Sequence, residues 1–135
     1  MVISFIGDET FDMASTYKVA IATKLMDRVD KGELSLDQLV DVPSDMYVVG
    51  DIALAETFPH PGIQLSLANL MEVMITESDN TATDVCMGLA GGAAAVTKNL
   101  RRLGITDFRV VRTTRDILMD FYDLPAVTPE AIAEA

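Results

Sequence analysis

Two short groups of side chains in this sequence have the types and spacing for nucleophilic chemistry. Ser15-Thr16-Tyr17-Lys18 places a hydroxyl and an amine three residues apart, which on a helix makes them neighbours on one face. Burial disfavours the charged form of a lysine, and a neutral amine beside Ser15 could take the hydroxyl proton and leave a nucleophile. A serine at a helix start also has a free backbone N–H that can donate to a developing oxyanion. The plainer alternative is an N-cap serine followed by a surface lysine. With 6 Ser and 4 Lys in 135 residues, about 0.2 such pairs arise by chance, so spacing alone favours that alternative. The apolar flank of Lys18, formed by Tyr17, Val19, Ala20 and Ile21, leans toward a buried amine. Ser78-Asp79-Asn80 is the more specific signal, with about 0.01 chance occurrences expected from the composition. Its simplest structural role is a polar turn between helices, with Asp79 or Asn80 capping the second.

The elements that must position these groups read as mostly helical. Val19, Ile21, Ala22, Leu25, Met26 and Val29 give an apolar face at helical spacing from Ser15 to Lys31, and Gly32 is a natural stop. Met1 to Ile6 reads as the end of a strand and Gly7 to Asp12 as a polar turn. Ser35-Leu36-Asp37-Gln38 has capping-box form and predicts a short turn of helix. Residues 41–65 hold Pro43, Gly50, Pro59, Pro61 and Gly62 and read as mainly loop, with a helical turn around Ile52 to Ala55. Ser66 is an N-cap for a helix to Glu77, with Leu67, Leu70, Met71, Met74 and Ile75 on its apolar side. Thr81 to Leu89 resumes as a helix, Ala93 to Leu103 follows, and Phe108 to Val111 reads as extended. Thr113 to Leu124 is balanced between loop and irregular helix, and Thr128-Pro129-Glu130 is a further helix start.

Composition removes several function classes. The net charge is −11, with 10 Lys and Arg against 21 Asp and Glu, and the arginines at 101, 102, 109, 112 and 115 are interleaved with apolar and acidic residues. Binding to a phosphate backbone is not expected. No apolar run is long enough for a membrane span, and Met1 to Phe5 lacks the form of a signal peptide. The single Cys86 excludes an internal disulfide and a cysteine-based zinc site and reads as a core residue. His60 stands alone in a loop, and Glu72, Glu77 and Asp84 read as solvated helix-face charges. Nothing points to a metal site or a cofactor. Half the residues are hydrophobic, which excludes intrinsic disorder.

Ser–x–x–Lys and Ser–Asp–Asn occurring together resemble the motif set of class A β-lactamases and penicillin-binding serine hydrolases. The segment Phe11 to Lys18 is similar to that family's nucleophile segment. Lys31-Gly32-Glu33-Leu34-Ser35-Leu36-Asp37, Leu67 to Asp84 and Leu100 to Ile105 resemble its following elements, so the likeness runs from about Gly7 to the end of the sequence. It implies Ser15 as the acylated nucleophile, Lys18 as its proton acceptor, Ser78 as the carrier of a proton to the leaving amine, and Asn80 as a hydrogen-bond partner of the substrate amide. The implied reaction is acyl transfer to Ser15 from a β-lactam-like amide or an ester, then hydrolysis. It also implies a periplasmic or secreted location.

Two departures qualify that expectation. The family's Arg–x–Glu–x–x–x–Asn loop, registered from Ser78, falls on Arg112 to Leu118, with Thr114 at the Glu position, Leu118 at the Asn position, and Asp116 as the nearest carboxylate. No Lys–Thr–Gly occurs in the sequence. The expected fold is therefore mainly α: a helical subdomain of the β-lactamase/transpeptidase-like α/β fold with most sheet strands absent. Residues 1–135 are expected to form one truncated helical domain with impaired activity. The alternative is a non-catalytic helical interaction module derived from that fold, and a homo-oligomer through exposed apolar helix faces would be one way to cover such surfaces.

Overall fold

The computed structural model describes residues 14–48, 53–60 and 62–123. The readings for Met1 to Ile6, Gly7 to Asp12 and Thr128 to Glu130 lie outside these. The described chain is a cluster of helices with one small hairpin-like sheet, so the mainly α expectation holds. A 3-10 turn, Ala14–Thr16, leads into α1 (Tyr17–Asp30). Strand β1 (Leu39–Val42), a second 3-10 turn (Ser44–Met46), the short α2 (Ala53–Thr57) and strand β2 (Ile63–Ser66) follow. Then come α3 (Leu67–Thr76), α4 (Asn80–Leu89), α5 (Gly92–Arg102) and α6 (Thr114–Tyr122).

The helix α4 is the axis of the molecule. Every residue from Asn80 to Met87 is buried, and α4 packs against α1, α3, α5 and α6. Its sequence explains this: between Asn80 and Gly92 the only charge is Asp84, so no polar face is available for water. Around it Ile21 and Leu25 of α1, Leu67, Leu70 and Met74 of α3, and Val96 and Leu100 of α5 complete one core with Val85, Cys86 and Met87. The connection from α4 to α5 is made by Gly91 and Gly92, with φ of +90° and +84°. A Cβ at Gly91 would also sit 3.2 Å from that of Ala95, so glycine is required there on two counts.

Three readings are corrected. Among its described residues, the stretch 41–65 is not mainly loop. Its two ends form an antiparallel ladder with Leu39 opposite Ser66 and Val42 opposite Ile63. It is extended by Leu67 N–H to Gln38 O (3.0 Å) and Ala68 N–H to Leu36 O (2.9 Å). The predicted helical turn falls on α2. Ser35 to Gln38 forms no helix: the Gln38 side chain instead accepts from Ser35 N–H (3.0 Å) and closes a tight turn before β1. Val19, read as core-facing, is 61% exposed, and Ile75 is also exposed. The stretch read as balanced between loop and irregular helix forms α6 from Thr114 to Tyr122. Thr113 and Asp116 form a reciprocal capping box at its start, which satisfies two otherwise free N–H groups.

Candidate active site

Ser15, Lys18, Ser78 and Asn80 converge where the start of α1 meets the break between α3 and α4. The break is built by residue type. Asp79 is fully buried and caps α4 through Ala82 N–H (2.6 Å), while its second carboxylate oxygen accepts from Leu54 N–H (2.9 Å). That pins α2 to the head of α4, and Val48 N–H on Thr81 Oγ1 (2.9 Å) pins the preceding loop. Asp79 thus holds the frame, and its two neighbours turn toward α1.

Lys18 reaches them from α1. It is 2% exposed, and its Nζ donates to Ser78 O (2.5 Å), Ser78 Oγ (2.9 Å) and Asn80 Oδ1 (3.2 Å). A buried amine needs such acceptors, so the surface-lysine alternative is excluded. Ser15 is exposed, within the 3-10 turn, and its Oγ lies 3.0 Å from Ser78 Oγ. The helix N-cap is Thr16 rather than Ser15, with no side-chain cap bond. Ser78 Oγ therefore bridges Ser15 and Lys18, and hydroxyls in such a chain can donate in either direction. Ala14 and Ser78 both have left-handed backbones, with φ of +42° and +56°. For residues with a Cβ this costs about 1–2 kcal/mol each, and such strain concentrates at functional sites.

A second set of groups was not foreseen. Asp84, read as a solvated charge, is 7% exposed and accepts from Thr114 N–H (2.7 Å) and Arg115 N–H (3.0 Å). Thr114 Oγ1 hydrogen-bonds the Tyr17 hydroxyl at 2.6 Å. Burial raises the Tyr17 phenol above its ordinary range, against the opposing pull of the Thr114 hydroxyl, so it stays neutral at ordinary pH. Arg115 donates to Asp45 O (2.5 Å) and Tyr47 O (3.3 Å). The start of α6 is thereby tied to α4, α1 and the 3-10 turn. The signal for Asp84 was present in the sequence as the one charge in an otherwise uncharged segment. Asp116 is spent on its own cap, accepting from Thr113 N–H (3.1 Å), and Arg112 pairs with Asp120. Cys86 is fully buried, and burial pushes its thiol up to about 12. Among the described residues no group of His, Cys, Asp or Glu is placed to hold a metal ion, and no helix is long and apolar enough to cross a membrane.

The chain matches the family model described as the beta-lactamase enzyme family over residues 2–134. It is 32% identical over 105 residues to beta-lactamase VEB-1 of Pseudomonas aeruginosa, covering 77% of this chain and 35% of that protein. A beta-lactamase of Bacteroides uniformis is 30% identical over 76% of this chain and 35% of its own length. Among solved structures, a beta-lactamase from Chitinophaga pinensis superposes with a TM-score of 0.79 at 28% identity, over 88% of this chain and 43% of that one. A class A beta-lactamase from Bacteroides cellulosilyticus gives 0.77 at 29% identity, over 96% and 48%. The chain thus spans about a third of the length of these curated relatives, and its fold corresponds to the helical part of theirs.

Proposed function

This chain belongs to the beta-lactamase enzyme family, and we propose that it carries the nucleophile side of an acyl-transfer site with Ser15 as the acylated residue. The observation that carries the proposal is the continuous contact from Lys18 Nζ through Ser78 Oγ to Ser15 Oγ, at 2.9 and 3.0 Å. Ser15 Oγ attacks the carbonyl carbon of a β-lactam-like amide or an ester. Its proton passes to Ser78 Oγ as the Ser78 proton passes to Lys18 in its amine form. When the bond from the carbonyl carbon to the amide nitrogen or ester oxygen breaks, the same two groups return a proton to that leaving atom. Asn80, whose Oδ1 accepts from Lys18 Nζ, is the proposed hydrogen-bond partner of the substrate amide. Hydrolysis of the resulting ester is expected to be the slow step, because Thr114 presents a hydroxyl where a carboxylate base would be needed.

The test is incubation with a fluorescent penicillin followed by intact-mass measurement. The expected result is one adduct, mapped to Ser15, absent from Ser15→Ala and persisting after free label is removed. Equal labelling of both proteins would sink the assignment, and so would no labelling of a longer chain that includes native flanking sequence. A second reading, a non-catalytic interaction module, draws on the exposed apolar side chains Val19, Leu39 and Phe121. It expects self-association or partner binding in place of the adduct, and light scattering separates the two.

A further inference from the structure

The face of α5 turned away from α1 carries a cationic groove. Ala94, Thr97, Lys98 and Arg101 share one side of that helix, and the segment Arg109 to Val111 runs alongside, leaving a shallow, open groove of about 550 Å³. This lies within the roughly 300–1,000 Å³ of small-molecule sites. Its wall is fixed: Thr97 Oγ1 donates to Val110 O (2.7 Å) and accepts from Val110 N–H (2.9 Å). This double bond takes the place of a strand ladder for the segment read as extended.

The groove combines three cations with an apolar floor and no lining carboxylate, in a chain with a net charge of −11. Arg101 is held in place by one guanidinium nitrogen, which donates to Ile105 O (2.6 Å) and Phe108 O (2.7 Å). The remaining N–H groups of its fork are not used by those bonds. Lys98 and Arg109 make no hydrogen bond or ion pair among the described residues. Elsewhere the cations are answered: Lys24, Lys31 and Arg102 converge on Asp27, Arg28 pairs with Glu33, and Arg112 pairs with Asp120. Val111 is largely exposed beside these charges. Three like charges set around uncovered hydrocarbon repel one another, and this arrangement is relieved by a ligand that brings a negative charge and an apolar body together.

We propose that this groove binds a small amphiphilic carboxylate, its anionic end on Lys98, Arg101 and Arg109 and its hydrocarbon on Ala94 and Val111. The site is separate from Ser15 and does not depend on acyl transfer. The experiment is an NMR titration of the labelled protein with octanoate and, in parallel, with neutral 1-octanol. Octanoate is expected to shift the amides of residues 94–101 and 109–111 saturably, equally in wild type and Ser15→Ala. High salt is expected to weaken the binding. Octanol, and octanoate against Lys98→Gln/Arg109→Gln, are each expected to bind about tenfold or more weakly. Because both side chains are exposed and make no hydrogen bond or ion pair among the described residues, that double variant should stay folded, with a thermal midpoint near that of wild type. Equal binding of octanol, equal binding to the double variant, shifts centred on Thr16 and Ile105 instead, or no saturable shift would each overturn the proposal.

Discussion

Lys18 is the side chain through which the proposed proton transfer and the local structure would be coupled. Its Nζ donates to Ser78 O, Ser78 Oγ and Asn80 Oδ1, which ties the left-handed residue Ser78 to α1. Lys18→Met preserves length and apolar packing while removing the proton acceptor. Penicillin labelling of Ser15 is expected to slow by about 10²-fold or more, with stability reduced because the buried Asn80 and the partly buried Ser78 lose a donor. Stopped-time labelling and urea unfolding separate the two effects. Cys86 provides a control that is independent of the site. With its thiol held near 12, it should resist alkylation at pH 8 in the folded protein and react once urea exposes it. Its raised value also sets a sign. Below about pH 8.5, the ordinary thiol value, folded and unfolded chains both hold the proton and stability is unaffected. Between that value and about 12 only the unfolded chain ionises, so stability must fall as pH rises. Cys86→Ala is expected to lack that alkaline component, at the cost of a small cavity.

Among the elements, α6 is held mainly by what its first turn touches. Thr114 is its one buried residue, and the two N–H groups on Asp84 anchor it to α4. Asp84→Ala leaves both N–H groups near the core without acceptors, an expected loss of about 2–4 kcal/mol. Hydrogen exchange at Thr114 and Arg115 should accelerate before exchange in α4 does. Asp84→Asn keeps one acceptor oxygen and should restore part of the protection. Unchanged exchange in Asp84→Ala would show that the cap and the Tyr17 contact suffice. Helix boundaries were legible where a residue type forces them: Ser66 accepts from Asn69 N–H at 3.2 Å, Asp79 caps α4, and Gly91-Gly92 ends it. The ladder of β1 and β2 was not legible. Each strand has four residues, their partners are 21 to 27 positions apart, and prolines in the intervening stretch suggested loop. The burial pattern of β1 is also irregular, so no period-two signal existed to find. Ser15, Lys18, Ser78 and Asn80 were legible as a set because motif chemistry survives without knowledge of the fold. The bonds of Asp84 to α6 were not, because they join residues 30 apart through backbone groups that carry no side-chain signature.

Across the whole molecule, charge sets how stability responds to solution conditions. The excess of 21 acidic over 10 basic residues means that repulsion outweighs pairing at neutral pH. Moderate salt should therefore raise the thermal midpoint at pH 7 by screening it. One attraction opposes that trend. Asp27 of α1 takes hydrogen bonds from Lys31 (2.7 Å) and Lys24 (3.0 Å) on its own helix, and from Arg102 of α5 (2.7 Å). The bonds from Lys31 and then Lys24 lead in holding its carboxyl down at about 2. The sign follows from linkage. Above about pH 4, the ordinary carboxylate value, Asp27 is ionised in both states and its full stabilising contribution is present. As pH falls from about 4 to 2, the unfolded chain takes up a proton that the folded chain resists, so the contribution is lost across that window. Asp27→Asn should be less stable than wild type at pH 6, and the difference should shrink toward pH 2. Added salt at pH 6 should narrow the gap as well, since the Asp27 partners Lys31 and Arg102 are exposed. Urea unfolding of both proteins at pH 2, 4 and 6 measures it. A gap that is constant across the three would place the role of Asp27 in shape or packing and not in its charge.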